Sequence, residues 1–150
     1  MKFKIIPNEQ TPAVIYPETA EGLIRENFLL YCKFLPFARR QHNCVGLAAN
    51  QVRVDGARIM APFFAIQETH FWDIVIYPKI EKYEGAPEIK TEACLTWLGK
   101  KLQAPRWPVI QVSYYKLNGQ RVRERVAGFK AQIWQHEYDH LTGVKENIID

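Results

Sequence analysis

Phe129-Lys130-Ala131-Gln132-Ile133-Trp134-Gln135-His136-Glu137-Tyr138-Asp139-His140-Leu141-Thr142-Gly143 is the stretch on which both fold and chemistry turn. Phe129, Ile133, His136, Glu137 and His140 recur at helical spacing and Thr142-Gly143 is a glycine stop, so the spacing predicts a helix from about Phe129 to Leu141. The apolar stripe that packs this helix inward runs directly into two histidines and a carboxylate, which therefore face protein and not bulk water. Histidines four residues apart have β-carbons roughly 5–6 Å apart on one face, close enough to share a metal ion. Glu137 is adjacent to one histidine and three residues from the other, where a carboxylate can take a proton from water without coordinating. The chain has four histidines, and two of them flank a glutamate on one helical face, which makes a chance pair of core or surface histidines the weaker reading. Trp134 and Tyr138 read as packing and surface aromatics.

A catalytic metal of this kind takes three protein ligands and keeps one position open. Downstream of His140 only Glu146 and Asp150 could serve, in a stretch too short for another ligand-bearing helix, so the third ligand is expected upstream. Cys94 is the best upstream candidate. A thiolate suits soft or borderline metals, and Thr91-Glu92-Ala93-Cys94-Leu95-Thr96 leaves a short strand for a loop. Position alone equally allows a buried, inert cysteine. Cys32 lies on an apolar helical pattern and reads as core, while Cys44, beside a glycine loop, stays ambiguous.

Outward from the metal helix, Arg58 to Val126 is a series of short β-rich runs punctuated by Pro and Gly: Arg58 to Phe64, Asp73 to Tyr77, Ile80 to Tyr83, Ile89 to Glu92, Lys100 to Gln103 and Val109 to Leu117. Asn118-Gly119 before Gln120 to Val126 signals a two-residue hairpin, hence antiparallel pairing. Nearer the N-terminus, Ile24, Asn27, Phe28, Tyr31, Phe34 and Leu35 predict a helix over about Glu18 to Phe37, with Thr19 as cap and Pro36 near its end. The fold class is α+β, with mostly antiparallel strands packed around a C-terminal metal-binding helix and an N-terminal helix.

Composition bounds the rest. The 150 residues, 47% of them hydrophobic, suit one domain spanning 1–150. No run of about 18 apolar residues exists for a membrane span, and the apolar patch before Pro7 is too short for a signal peptide, so a cytoplasmic protein is expected. Three cysteines at unrelated spacings do not make a disulfide framework and fit a reducing compartment. The net charge of +4 comes from scattered basic residues. Arg121, Arg123, Arg125 and Lys130 alternate as on the wet side of a strand, with acidic partners such as ribosomal RNA the lesser reading.

Three segments together resemble peptide deformylase: Cys44-Val45-Gly46-Leu47-Ala48-Ala49-Asn50-Gln51, Glu92-Ala93-Cys94-Leu95-Thr96, and Gln135-His136-Glu137-Tyr138-Asp139-His140-Leu141-Thr142-Gly143. The family reads Gly-apolar-Gly-apolar-Ala-Ala-any-Gln, Glu-Gly-Cys-Leu-Ser and Gln-His-Glu-any-any-His, in this order and similarly spaced. The resemblance covers about Cys44 to Gly143. It implies one divalent metal on Cys94, His136 and His140, in the family most often Fe2+ in cells and replaceable by Zn2+, Ni2+ or Co2+. It also implies an N-formylmethionyl peptide as substrate, with formate and a free amino terminus as products. Glu137 would carry a proton from water to the leaving amine, and the Gln51 side-chain amide and Leu95 backbone N–H would face the oxyanion, where one donor is worth about 3 kcal/mol.

Each further assignment has a plainer alternative. Gln51 follows the small Ala48 and Ala49, which permit close approach, though a polar loop residue would look the same. Gly46 would give backbone access to an extended peptide, or merely turn. Val45, Phe129, Ile133 and the His136 ring would line the methionine pocket, or Val45, Phe129 and Ile133 would be core. Glu92 would order the loop or pocket rim, and Arg106 would touch the substrate backbone or form a surface salt bridge. Departures from the family are Cys44 and Ala93 in place of glycines and Thr96 in place of serine. If the backbone at Ala93 needs positive φ, alanine costs about 1 kcal/mol. Activity is expected nonetheless, with altered peptide preference or reduced rate to look for. The expected partners are the peptide and the ribosome surface, with no membrane, no sequence-specific nucleic acid and a monomeric state. A metalloprotease with a carboxylate third ligand, a non-catalytic member of the fold that binds nascent chains or ribosome, and a structural zinc site are the rivals.

Overall fold

In the computed structural model, which describes residues 1–149, the chain runs β1 (Phe3–Ile5), α1 (Leu23–Arg40), β2 (Gly46–Ala48), β3 (Val52–Val54), β4 (Ala57–Arg58), β5 (Phe63–Gln67), β6 (Trp72–Glu84), β7 (Glu88–Glu92), β8 (Lys101–Arg106), β9 (Val109–Tyr115), β10 (Arg121–Ala127), α2 (Gly128–Thr142) and β11 (Ile148–Ile149). Short 3-10 turns occupy Ala49–Gln51 and Leu95–Trp97. Asp150, considered above as a ligand, lies outside the described residues. The strands form three sheets, ordered β10-β9-β6-β5-β2, β1-β3-β4 and β11-β8-β7. All pairings among the described residues are antiparallel, as the hairpin signal requires.

The five-stranded sheet lies between the two long helices, and β5 shows how. Successive strand side chains point to opposite faces. The Phe63 ring meets Tyr31 and Phe34 of α1 at 4.9 Å each, and the Phe64 ring meets Trp134 of α2 edge-on at 4.9 Å. With both faces covered, β5 needs no alternation, and Phe63-Phe64-Ala65-Ile66 is buried throughout. The α+β reading holds, and Trp134 is core as expected. Among the described residues, no helix is long and apolar enough to cross a membrane.

Several sequence boundaries shift. Helix α1 starts at Leu23, because Gly22 at φ 83° breaks the chain there and replaces Thr19 as the cap. It also runs through Pro36 to Arg40. A proline inside a helix frees the carbonyl four residues back, and here that residue, Cys32, is exposed, so water can satisfy it. Cys32 is therefore not core, since the buried stripe runs through Leu23, Tyr31, Phe34 and Ala38 and leaves Cys32 and Phe28 outside.

Asp73 to Tyr77 and Ile80 to Tyr83 fuse into β6 across an irregularity. Tyr77 adopts φ 54° and the register against β9 shifts between Ile76 and Lys79, which accommodates Pro78 inside the strand. The predicted Arg58 to Phe64 run divides between β4 and β5. At the Asn118-Gly119 hairpin only Gly119 has positive φ, 90°. Its N–H donates to the Lys116 carbonyl (2.9 Å) and Lys116 N–H donates to the Gln120 carbonyl (2.9 Å), giving a three-residue loop with a left-handed glycine instead of a two-residue turn. Arg121, Arg123 and Arg125 are exposed along β10, as expected for a wet face, with Arg125 paired to Glu84 at 3.0 Å, and Lys130 pairs with Glu68 at 2.9 Å.

Candidate metal centre

Helix α2 begins where Gly128 (φ 66°) turns out of β10 and stops at Gly143 (φ 74°). A β-carbon on Gly143 would meet the Ala13 backbone nitrogen at 2.9 Å, so the stop is also a close crossing of chains. Between them the helix buries Ile133, Glu137 and His140 and half-buries His136. Phe129 departs from the expected inward stripe: it is 64% exposed, in the first turn of α2.

Cys94, at the exit of β7, meets the two histidines. Its Sγ is 3.3 Å from His140 Nε2, and the two imidazole Nε2 atoms are 3.2 Å apart. One donor atom from each of Cys94, His136 and His140 lies within 4.8 Å of the others. Two nitrogens bound tetrahedrally at about 2.0–2.1 Å would stand roughly 3.3 Å apart, so the observed spacing and the thiolate–imidazole donor set fit a borderline divalent cation. Burial raises the Cys94 thiol, but hydrogen bonds and positive charge from His136 and His140 override it and bring the pKa down to about 5. Burial lowers both imidazoles, yet the charge of Glu137 lifts His136 well above its ordinary value, and the hydrogen bonds to Cys94 and Glu146 lift His140 to about 9.

Glu137 is buried and its Oε1 has no hydrogen-bond partner. Burial raises its carboxyl pKa to about 7 against the lowering effect of the two histidines. Its neighbour across the site is the main chain of Gly46, on the edge strand β2. A β-carbon there would lie 2.6 Å from Glu137 Oε2 and 2.9 Å from the Ile133 side chain, so only glycine admits the approach. Gln51 is buried in the adjoining 3-10 turn, where its Oε1 accepts from Ala48 N–H (2.9 Å). Its Nε2 donates to Cys94 Sγ (3.2 Å) and Thr96 Oγ1 (3.1 Å), which aims an amide donor along the edge of the cysteine–histidine cluster. Leu95 opens the other 3-10 turn, where the first N–H groups have no partner inside the turn. Val45 is half-buried, its carbonyl accepting from Gln67 N–H.

His136 Nδ1 is 2.8 Å from Glu92 Oε1. Arg106 grips the same carboxylate with Nε (2.9 Å) and Nη2 (2.8 Å) and reaches Asp139 with Nη1 (2.6 Å), while Gln132 Nε2 donates to Glu92 Oε2 (2.9 Å). Burial opposes ionisation of Glu92, but the bonds from His136 and Arg106 hold its pKa down at about 2. Arg106 is thus buried, and it also lines the cleft beside the histidines. It forms a buried salt bridge, corrected from the surface one expected, and the same Glu92 carboxylate bonds the His136 ring. Ala93 is exposed and does not have positive φ, so the strain considered for it is absent. The half-buried Cys44 donates its thiol to the Gly46 carbonyl (3.2 Å), and burial beside Glu137 pushes its pKa to about 12, the pattern of an inert neutral thiol.

The structure therefore gathers Cys94, His136, His140, Glu137, Gln51 and Gly46, sets Glu92 and Arg106 behind His136, and leaves Phe129 apart. Sequence reasoning missed Thr11, Gln132 and Asp139, and it weighed Glu146 only as a ligand. Thr11 Oγ1 is 3.0 Å and Glu146 Oε1 3.2 Å from His140 Nδ1, the outer ring nitrogen, so Glu146 lies behind the His140 ring. Beside the histidines a cleft of about 410 Å³ is walled by Tyr83, Ile89, Leu102, Trp107 and the Val144-to-Asn147 segment.

Residues 32–146 match the profile of the family described as polypeptide deformylase. The chain belongs to that family. It is 37% identical over 106 residues to the peptide deformylase of Desulforudis audaxviator, covering 70% of this chain and 66% of that one. It is 34% identical over 100 residues to the peptide deformylase of Thermotoga maritima, covering 67% of this chain. The matched segment spans 58% of the length of that Thermotoga relative. The crystal structure of the Thermotoga maritima peptide deformylase superposes with a TM-score of 0.76 at 25% identity, over 97% of this chain and 95% of that one. The deformylase fold thus extends beyond the segment that sequence similarity covers.

Proposed function

We propose that the chain is a metal-dependent hydrolase that removes the formyl group from the N-terminal methionine of nascent peptides and releases formate. One observation carries the reading: a thiolate and two imidazoles converge within 4.8 Å beside a buried carboxyl group whose Oε1 has no partner. A structural site would need no such carboxyl. A metalloprotease would draw its third ligand from a carboxylate, whereas here the third donor in reach of both imidazoles is Cys94.

Cys94, His136 and His140 would hold the cation, Fe2+ in cells with Zn2+, Ni2+ or Co2+ able to replace it. Bound there, it supplies Lewis-acid polarisation of the formyl carbonyl and of the attacking water. Glu137 takes the proton of that water, since its carboxyl stands near neutrality and can both accept and release a proton. It then delivers the proton to the nitrogen of the breaking amide, because an amine leaves poorly unless protonated. Gln51 Nε2, giving up its bond to Cys94 Sγ or Thr96 Oγ1, and the Leu95 N–H donate to the developing oxyanion, each worth about 3 kcal/mol. The peptide lies extended along β2, the edge strand of the large sheet, where Gly46 lets the main chain pass close to Glu137. Val45, Ile133 and the His136 ring take the methionine side chain, with Phe129 and Ala93 toward the outside. Glu92 and Arg106 act through His136.

The reading carries with it one domain over 1–150, a monomer in the cytoplasm and no sequence-specific nucleic-acid partner. The exposed Arg121, Arg123 and Arg125 face offers the ribosome surface an electrostatic contact. The test is formate release from formyl-Met-Ala peptides by protein prepared without oxygen, with Glu137→Ala beside it. Turnover by the wild type, slowed by roughly 10²–10⁴ in the variant, is expected. Equal rates for the two would remove the mechanism.

A further inference from the structure

The two imidazoles of the cluster are backed differently. Behind His136 stands the Glu92–Arg106 pair, close in sequence to Cys94. Behind His140 stands a pair drawn from distant parts of the chain. Thr11 Oγ1 lies 3.0 Å from His140 Nδ1 and donates to Glu146 Oε1 at 3.3 Å, and the same Oε1 is 3.2 Å from the ring nitrogen. Thr11 is 2% exposed and the Glu146 side chain 6%. Glu146 Oε2 is buried without a partner, so the carboxylate is not there to satisfy some other group.

The placement is braced from both sides. Gln10 Nε2 donates to the Val144 carbonyl (3.0 Å), and Glu146 N–H donates to Gln10 Oε1 (3.1 Å). This two-point clasp fixes the segment after α2 so that its carboxylate sits over the outer nitrogen of the ring.

We propose that Glu146, acting with Thr11, is a positioning residue for His140: it fixes the proton on Nδ1, turns Nε2 toward the cluster and lends the site a further negative charge that retains a divalent cation. The chemistry follows from the ring. A histidine that ligates through Nε2 must carry its proton on Nδ1, and an acceptor there sets both tautomer and ring orientation while raising the basicity of the ligating nitrogen. Thr11 Oγ1 accepts a hydrogen bond from Nδ1–H and its hydroxyl donates to Glu146 Oε1, so the three groups form one directed chain of hydrogen bonds. This inference rests on the reading that Cys94, His136 and His140 hold a cation.

The experiment loads purified full-length protein with Zn2+ and follows its transfer to an excess of a coloured chelator. Wild type, Glu146→Ala, Glu146→Gln, Thr11→Val and the exposed-site control Lys145→Ala are compared, with Cys94→Ser to mark loss of a ligand. Zn2+ is expected to leave Glu146→Ala roughly 10–100-fold faster than wild type, with Glu146→Gln and Thr11→Val between the two and Lys145→Ala unchanged. Co2+-loaded samples give a second readout: the thiolate-to-cobalt absorption should persist in Glu146→Ala with a shifted maximum and vanish in Cys94→Ser. If Glu146→Ala does not fold, Glu146→Gln, which keeps the shape and the clasp but not the charge, decides by the same measurement. Wild-type release rates in both Glu146 variants overturn the proposal while leaving the metal site standing. A wild-type protein that takes up no Zn2+ or Co2+ overturns the metal site and this proposal with it.

Discussion

In β5 the four successive side chains from Phe63 to Ile66 are wholly buried, whereas in β7 the residues Glu88 to Thr91 all reach water and only Glu92 is buried. The five-stranded sheet is held by aromatic and aliphatic packing on both faces. The β11-β8-β7 sheet has little of that, and its inward residues include Leu102 but also Glu92 and Arg106, locked to each other at 2.8–2.9 Å. The difference matters because the donor cluster straddles the two. Both histidines ride on α2, packed against the large sheet, while Cys94 hangs from the small one. Stability and donor geometry are therefore separable, and substitutions in the two regions should separate them.

The largest loss of stability belongs to the large sheet. Phe64→Ala removes the ring that meets Trp134 and should cost about 3–5 kcal/mol in urea unfolding, while the folded fraction keeps its metal as tightly as wild type. Metal loss in proportion to lost stability would erase the distinction between the regions.

Next comes the ionic tie. Arg106→Met strands the Glu92 carboxylate in a buried place and should cost roughly 3 kcal/mol. Adding Glu92→Leu should recover most of that stability, because the deeply buried charge is gone and Asp139, which also loses Arg106, can reach water. Metal release should nonetheless stay about 10-fold or more faster than wild type, because His136 has lost its acceptor. Stability and retention recovering together would show the pair to be structural only.

The smallest effect tests the large sheet by pH. Burial raises the Asp73 carboxyl pKa, so the folded state holds a proton more tightly than the unfolded one, and stability falls as pH rises through that range. Asp73→Asn keeps the acceptor for Ile74 N–H and should raise the thermal midpoint at pH 7 by up to about 2 °C, a figure discounted because the group is only half-buried. The gain should vanish below the unfolded carboxyl pKa of about 3.9, where both states are protonated.

The sequence was most legible where one segment carries its own period. In α2 the stripe, the glycine stop and the two histidines lie within one helix, and periodicity alone finds them. Short strands such as β2 and β3 offer three residues each, too few for an alternation to register. Cys94 came into view through the chemistry of a third ligand and the company of Glu92 and Leu95. Cys32 was misjudged because a cysteine next to a buried Tyr31 is a third of a helical turn away from it, on the wet side. The groups behind the histidines left no local signal: Arg106 meets Asp139 across 33 residues, and Thr11 meets Glu146 across 135. Such pairs are created by the fold and carry no sequence period.

Beside Glu137 the wall is bare main chain, since Gly46 has a hydrogen where any other residue would place a methyl 2.6 Å from the carboxylate. The gap between carboxylate and strand is therefore defined by missing atoms, which no neighbouring side chain can supply by moving. A redesign that seeks a wider or narrower passage has to work on the other walls, because this one has no side chain left to remove and no room to add one.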